Sequence, residues 1–141
     1  MSRKTFLTIV SLVAVCVGAF ALFAPAMLLN SKGVAPSEAG NLWAREVGVA
    51  ILSIGVTTFL LKGEGDSPAL QAFLVGNAIL QIGLFPIEII AYAKGVVTKI
   101  SGIAPNSVLH LVLASGFVYF ATRIKKRAGR FSSATTGPPT E

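Results

Sequence analysis

Apolar residues in this chain gather in four long runs separated by short polar gaps, instead of alternating with polar residues as they would along a half-buried strand. The longest uncharged run, Thr5 to Leu29, is ample at 1.5 Å per residue for a hydrocarbon core of about 30 Å. The others are Leu42 to Leu61, Pro68 to Tyr92 and Asn106 to Thr122, with charges concentrated between them and at the ends. The pattern predicts an all-α, integral membrane four-helix bundle over residues 1–122, with helices near 5–29, 42–61, 68–92 and 106–122. Residues 123–141 read as a basic, disordered tail.

Finer spacing within the runs predicts which faces pack. Ser11, Ala14, Gly18, Ala21 and Pro25 recur at three- and four-residue intervals, so one face of the first helix carries small side chains that admit a neighbouring backbone. Pro25 lacks an amide hydrogen and should bend or end that helix, turning Ala26 to Leu29 along the membrane surface. Gly33, Pro36 and Gly40 mark the next connection as turns, and Ser37 can start a short helical turn that Gly40 weakens. Residues 47–55, VGVAILSIG, recur as VGNAILQIG at 75–83 with seven identities in nine. Such a recurrence follows either from an inverted repeat, as in several transporter folds, or from the small vocabulary of membrane helices. Either way Gly48 and Gly55 are expected to face Gly76 and Gly83 across the second and third helices.

Polar residues inside these runs are the candidate chemistry. Asn77, Gln81 and Glu88 fall within about 40° of one another at 100° per residue, with Tyr92 close by, giving the third helix a polar seam. An ionisable group in a spanning segment is costly and turns toward the bundle interior or a water-filled cavity. Pro86 leaves the Ile82 carbonyl without its helical donor. Ranked by depth, Arg45, Glu46, Glu88 and His110 are expected to cluster beneath the outer surface, continued inward by Gln81 and Asn77. The cluster can serve as interhelical glue or as a ligand or proton site. His110 is the sole histidine and no second soft ligand is spaced to join it, so no metal centre is expected. Cys16 is the sole cysteine, which excludes an intramolecular disulfide and a CxxC pair.

Composition agrees: 53% of residues are hydrophobic, 13% are charged and the mean hydropathy is +0.74, against about 25% charged residues in an ordinary soluble domain. The net charge of +6 changes the picture only through its distribution, because five of twelve basic residues lie between Arg123 and Arg130. With Arg3, Lys4 and Lys62 one side collects eight Lys and Arg, against Lys32, Arg45, Lys94 and Lys99 on the other. The positive-inside rule then predicts cytoplasmic termini. The basic tail reads as a topogenic anchor or as a site for anionic headgroups. Nucleic acid is not an expected partner, since no aromatic stacking platform accompanies the charges. Arg3, Lys4 and Ala24-Pro25-Ala26 imitate a signal peptide, but the run exceeds a usual h-region and Pro25 occupies the cleavage position, so a retained span is expected.

The Ala24-Pro25-Ala26 end of the first helix, the Arg45-Glu46-Val47-Gly48 opening of the second, and four short helices with a basic tail resemble the DoxX-like group of small bacterial membrane proteins. The resemblance spans the chain and implies a four-helix bundle of the bacterial cytoplasmic membrane; some members associate with quinone-linked redox complexes. It assigns no residue a role. No phosphate loop, metal-binding helix or nucleophile elbow is present, so no catalytic residue is named. The first expectation is a non-enzymatic accessory subunit or a protein that binds lipid or quinone, partnered by the bilayer and by other membrane subunits or a second copy. The alternatives are a proton-coupled transporter component using the inward stripe, or a membrane enzyme with Glu88 and His110 as an acid–base pair.

Overall fold

A computed structural model describes residues 1–125, which form α1 (Arg3–Phe23), α2 (Pro25–Ser31), α3 (Glu38–Leu61), α4 (Pro68–Ala93) and α5 (Ile100–Thr122). There is no strand among the described residues, and α1, α3, α4 and α5 are each long and apolar enough to cross a membrane. Most of the tail expected to be disordered, residues 126–141, lies outside the described residues.

Local chemistry explains the boundaries. Ser2, Ser37 and Ser67 each precede a helix and accept a backbone N–H three residues on, at 3.1, 3.0 and 3.1 Å, satisfying one of the unpaired donors of the first turn. The Ser37 cap starts α3 four residues before Leu42, with Gly40 inside the helix. Pro25 opens α2 as its first residue, and Ala24, at φ −133°, breaks the run predicted as one helix over 5–29 into two. α5 begins at Ile100, six residues ahead of Asn106. These starts were hidden because hydropathy marks where side chains suit lipid, whereas the backbone coils as soon as a cap is present.

The spanning helices associate as two pairs. α1 crosses α3 with the backbones almost touching: a Cβ at Gly18 would sit 2.7 Å from the Leu52 nitrogen, and one at Gly48 would sit 2.7 Å from the Leu22 nitrogen. Gly55 continues the seam against the Val15 nitrogen at 2.9 Å. Absence of side chains there allows the close van der Waals contact that associates helices where lipid supplies no hydrophobic drive. α4 pairs with α5. The expected apposition of Gly48 and Gly55 with Gly76 and Gly83 is therefore corrected. α3 spends its glycines on α1, while a Cβ at Gly76 or Gly83 would meet nothing within 4 Å.

The pairs are joined at the end that carries the N-terminus. Phe6, Leu7 and Val10 of α1 pack with Leu70, Leu74 and Ala78 of α4 and with Leu113, Phe117 and Ala121 of α5. Phe6 meets Phe117 edge-on at 5.2 Å between centroids, an arrangement that adds about 0.5–1.5 kcal/mol to what burial contributes. Beneath it a polar latch closes the same end. Arg3 donates to the Asp66 carboxylate and, at 2.8 Å, to the Glu64 carbonyl, and the Lys125 amide donates to Asp66 Oδ2 at 3.0 Å. The Arg3 hydrogen bond, then that of Lys125, holds the Asp66 carboxyl below its ordinary range.

At the opposite end the α2–α3 turn docks on the α4–α5 turn. Thr98 donates to the Gly33 carbonyl at 2.9 Å and Lys99 Nζ to the Asn30 carbonyl at 3.1 Å. Gly33 itself has φ +73°, a left-handed turn that residues with a Cβ rarely adopt. Gly102 lets α5 start directly against α2, where a Cβ would lie 2.6 Å from the Ser31 oxygen. This docking carries Lys32 over the ends of α4 and α5.

Candidate functional site

Glu88 is the centre of a polar network at the end opposite the N-terminus. It projects from α4 toward Asn106, Ser107 and His110, which the 100° helical step sets on one side of α5. Glu88 Oε1 accepts from Asn106 Nδ2 and, at 3.4 Å, from Lys32 Nζ. Oε2 accepts from the Ser107 hydroxyl at 2.9 Å and lies 3.8 Å from His110 Nε2. His110 Nδ1 meets Gln81 Oε1 at 2.5 Å, about two turns deeper along α4, and Asn106 Nδ2 reaches His110 Nε2 at 3.2 Å. Side chains of Glu88 and His110 are 15% and 12% exposed, so the group is sheltered without being sealed.

One protonation pattern satisfies all of these donors and acceptors. An ionised Glu88 offers acceptors alone, and Lys32, Asn106 and Ser107 all supply donors to it. Asn106 must turn its NH2 to Glu88, so its second hydrogen points at His110 Nε2, which must then be the bare nitrogen. The remaining nitrogen, Nδ1, carries the hydrogen and donates it to Gln81 Oε1. This assignment, made from the bonding pattern, is a neutral imidazole separated from the carboxylate by one amide.

Structure and sequence place the candidate residues differently in part. Gln81, Glu88 and His110 come together. Asn77 is buried in the same stripe but donates to the Phe73 carbonyl of its own helix at 2.9 Å and does not extend the network. Arg45 and Glu46 are corrected: both are exposed on α3, about two turns from its start, and neither forms an ion pair among the described residues. The reason is the pairing of helices, since α3 packs on α1 and not beside α4. Their place is taken by Lys32. Asn106 and Ser107 are the other members that the sequence reading passed over. Asn106 lies four residues before His110, a spacing that by itself puts them on one face. Nothing local points to Lys32, whose position depends on α2 folding back over α5.

Beside the network runs an open groove of about 310 Å³ between α1, α2 and α5. Val17, Phe20, Leu28 and Leu109 give it apolar walls. Ser31, Lys32 and Asn106 give it a polar end, where Pro105 also leaves the Ser101 carbonyl without its helical donor. Its volume lies at the lower bound of small-molecule sites. Lys32 and Asn106 therefore belong to both features, touching Glu88 on one side and lining the groove on the other. No family model, no curated protein and no solved structure matches this chain.

Proposed function

We propose that this chain is a non-enzymatic membrane protein of the DoxX-like kind, an accessory subunit that holds one amphiphile, a lipid or a quinone, in the groove between α1, α2 and α5. The supporting observation is the groove's make-up: apolar walls long enough for part of a chain or ring, ending at an ammonium and hydroxyls. In this reading the four spans cross a bacterial cytoplasmic membrane with both termini inside, as eight Lys and Arg on the terminal side against four favour. The network then stands near the outer surface, where a headgroup or ring carbonyl lies. Mass spectrometry of small molecules that copurify with the protein in mild detergent tests it. One amphiphile class should be enriched over the bulk membrane extract, and Leu109→Trp, which fills the groove, should remove that enrichment while thermal stability stays measurable. Copurified lipid of bulk composition in both proteins would overturn the reading.

A second reading, a proton-coupled transporter component, draws on one observation, the unbroken chain from Gln81 through His110 and Asn106 to Glu88. Flux in proteoliposomes that follows a pH gradient and vanishes in His110→Gln would favour it over the accessory role.

A further inference from the structure

We infer that the network masks the groove's cation and that a proton removes the mask: when His110 becomes charged, Glu88 passes from Lys32 to the imidazolium, and Lys32 turns to the anionic headgroup of an amphiphile in the groove. The inference rests on the groove being an amphiphile site and adds the class of headgroup and its control.

Three observations carry it. First, Asn106 can bridge His110 and Glu88 only while Nε2 is bare. A proton there sets N–H against N–H at 3.2 Å, and turning the amide over would set its oxygen against the carboxylate. Second, the imidazolium has a carboxylate oxygen waiting at 3.8 Å, close enough for a direct ion pair after a small ring rotation. Third, Lys32 holds Glu88 by the longest hydrogen bond in the network, 3.4 Å, from a flexible stem on the groove wall. The imidazolium would take Oε2 while Lys32 is on Oε1, so one negative charge is then divided between two cations. Lys32, held otherwise by the Gly102 carbonyl at 3.3 Å, is the one free to swing toward the groove. The charges acting on His110 are those of Glu88 from α4 and Lys32 from the C-cap of α2, and its remaining polar neighbours are Gln81 and Asn106. Lys32 then faces the groove's serines with no carboxylate beside it. A phosphate attached to acyl chains satisfies both the ammonium and the apolar walls; a zwitterionic headgroup satisfies the ammonium less well.

Native mass spectrometry of the full chain, titrated with phosphatidylglycerol or phosphatidylcholine at about pH 8 and about pH 5, brackets the titration of an imidazole. Retained phosphatidylglycerol should rise about fivefold on acidification, as one unmasked lysine at an anionic headgroup gives, with phosphatidylcholine unchanged. Glycerol phosphate, which has the charge without the chains, should not be retained. His110→Gln should flatten the pH response, and Glu88→Gln should retain phosphatidylglycerol at both pH values because Lys32 is never masked. The basic tail is present in every variant and cancels in the comparison. Binding that is equal at both pH values, or an identical pH response in His110→Gln, would overturn the switch and leave the groove assignment standing. Failure to retain either lipid at either pH would instead overturn the groove. Should Glu88→Gln not fold, the His110→Gln comparison decides alone.

Discussion

Asn106 shows how one side chain fixes the state of its neighbours. Its NH2 is shared between Glu88 and His110, so each partner constrains the other through an amide that cannot satisfy a second arrangement. Energies in such networks are coupled. Glu88→Gln and His110→Ala should each lower stability in detergent, the former by about 1–3 kcal/mol through the loss of charge-assisted bonds. The double variant should lose less than the sum, by about 0.5–1.5 kcal/mol, because each single change already weakens or removes one end of the Asn106 bridge. Strictly additive thermal shifts would show that the two residues act independently. Much of this was legible in the sequence, since Gln81, Glu88 and His110 are polar residues in helices that lipid favours leaving apolar. Lys32 was not, because a lysine in a turn is ordinary until the turn is known to fold over something.

Glycine decides the pairing of helices. Gly18 and Gly48 occupy each other's missing side-chain volume, whereas Gly76 and Gly83 border open space. Gly48→Leu should therefore destabilise the protein by about 1–3 kcal/mol or more, since backbone atoms at 2.7 and 2.9 Å cannot move aside. Gly76→Leu should cost less than about 1 kcal/mol, since a Cβ there meets nothing within 4 Å and leucine has the better helix propensity. Denaturation midpoints of the two variants check this, and equal losses would show that Gly76 also lies against a packed backbone. The repeated nonapeptide announced two surfaces of the same shape, but α1 reaches only one of them. Small residues tell where a backbone can approach and are silent about which backbone does.

The described residues are held differently at the two ends of the bundle, by a packed apolar core and the Asp66 latch near the N-terminus and by turn-to-turn hydrogen bonds opposite. Because Arg3 and the Lys125 amide lower the Asp66 carboxyl, the latch stabilises the fold above the ordinary carboxylate range and loses that contribution as pH falls through the depressed folded value. Asp66→Asn should therefore reduce thermal stability near pH 7, and the gap from the parent protein should close on acidification below about pH 4. A gap independent of pH would remove charge from the explanation. Orientation is a separate matter of charge count. After Cys16→Ser, a cysteine introduced at Ser133 should resist an impermeant thiol reagent in intact cells and react once they are permeabilised. Labelling of intact cells would reverse the topology and put the network at the inner surface.

From the sequence alone come the helical class, the four apolar segments, the charge asymmetry, the break at Pro25 and the polar stripe on α4. All of these are properties of residues within one helix or one turn, where lipid solubility, capping and a missing amide hydrogen act over a few positions. Tertiary structure alone decided that α3 pairs with α1, that Arg45 and Glu46 are left out, and that Lys32 faces Glu88 across 56 residues of chain. Those outcomes turn on which of several similar glycine-bearing faces meet. In a membrane that choice is made by close-range packing and hydrogen bonding between whole helices, for which neither hydropathy nor spacing along a single chain segment has a term.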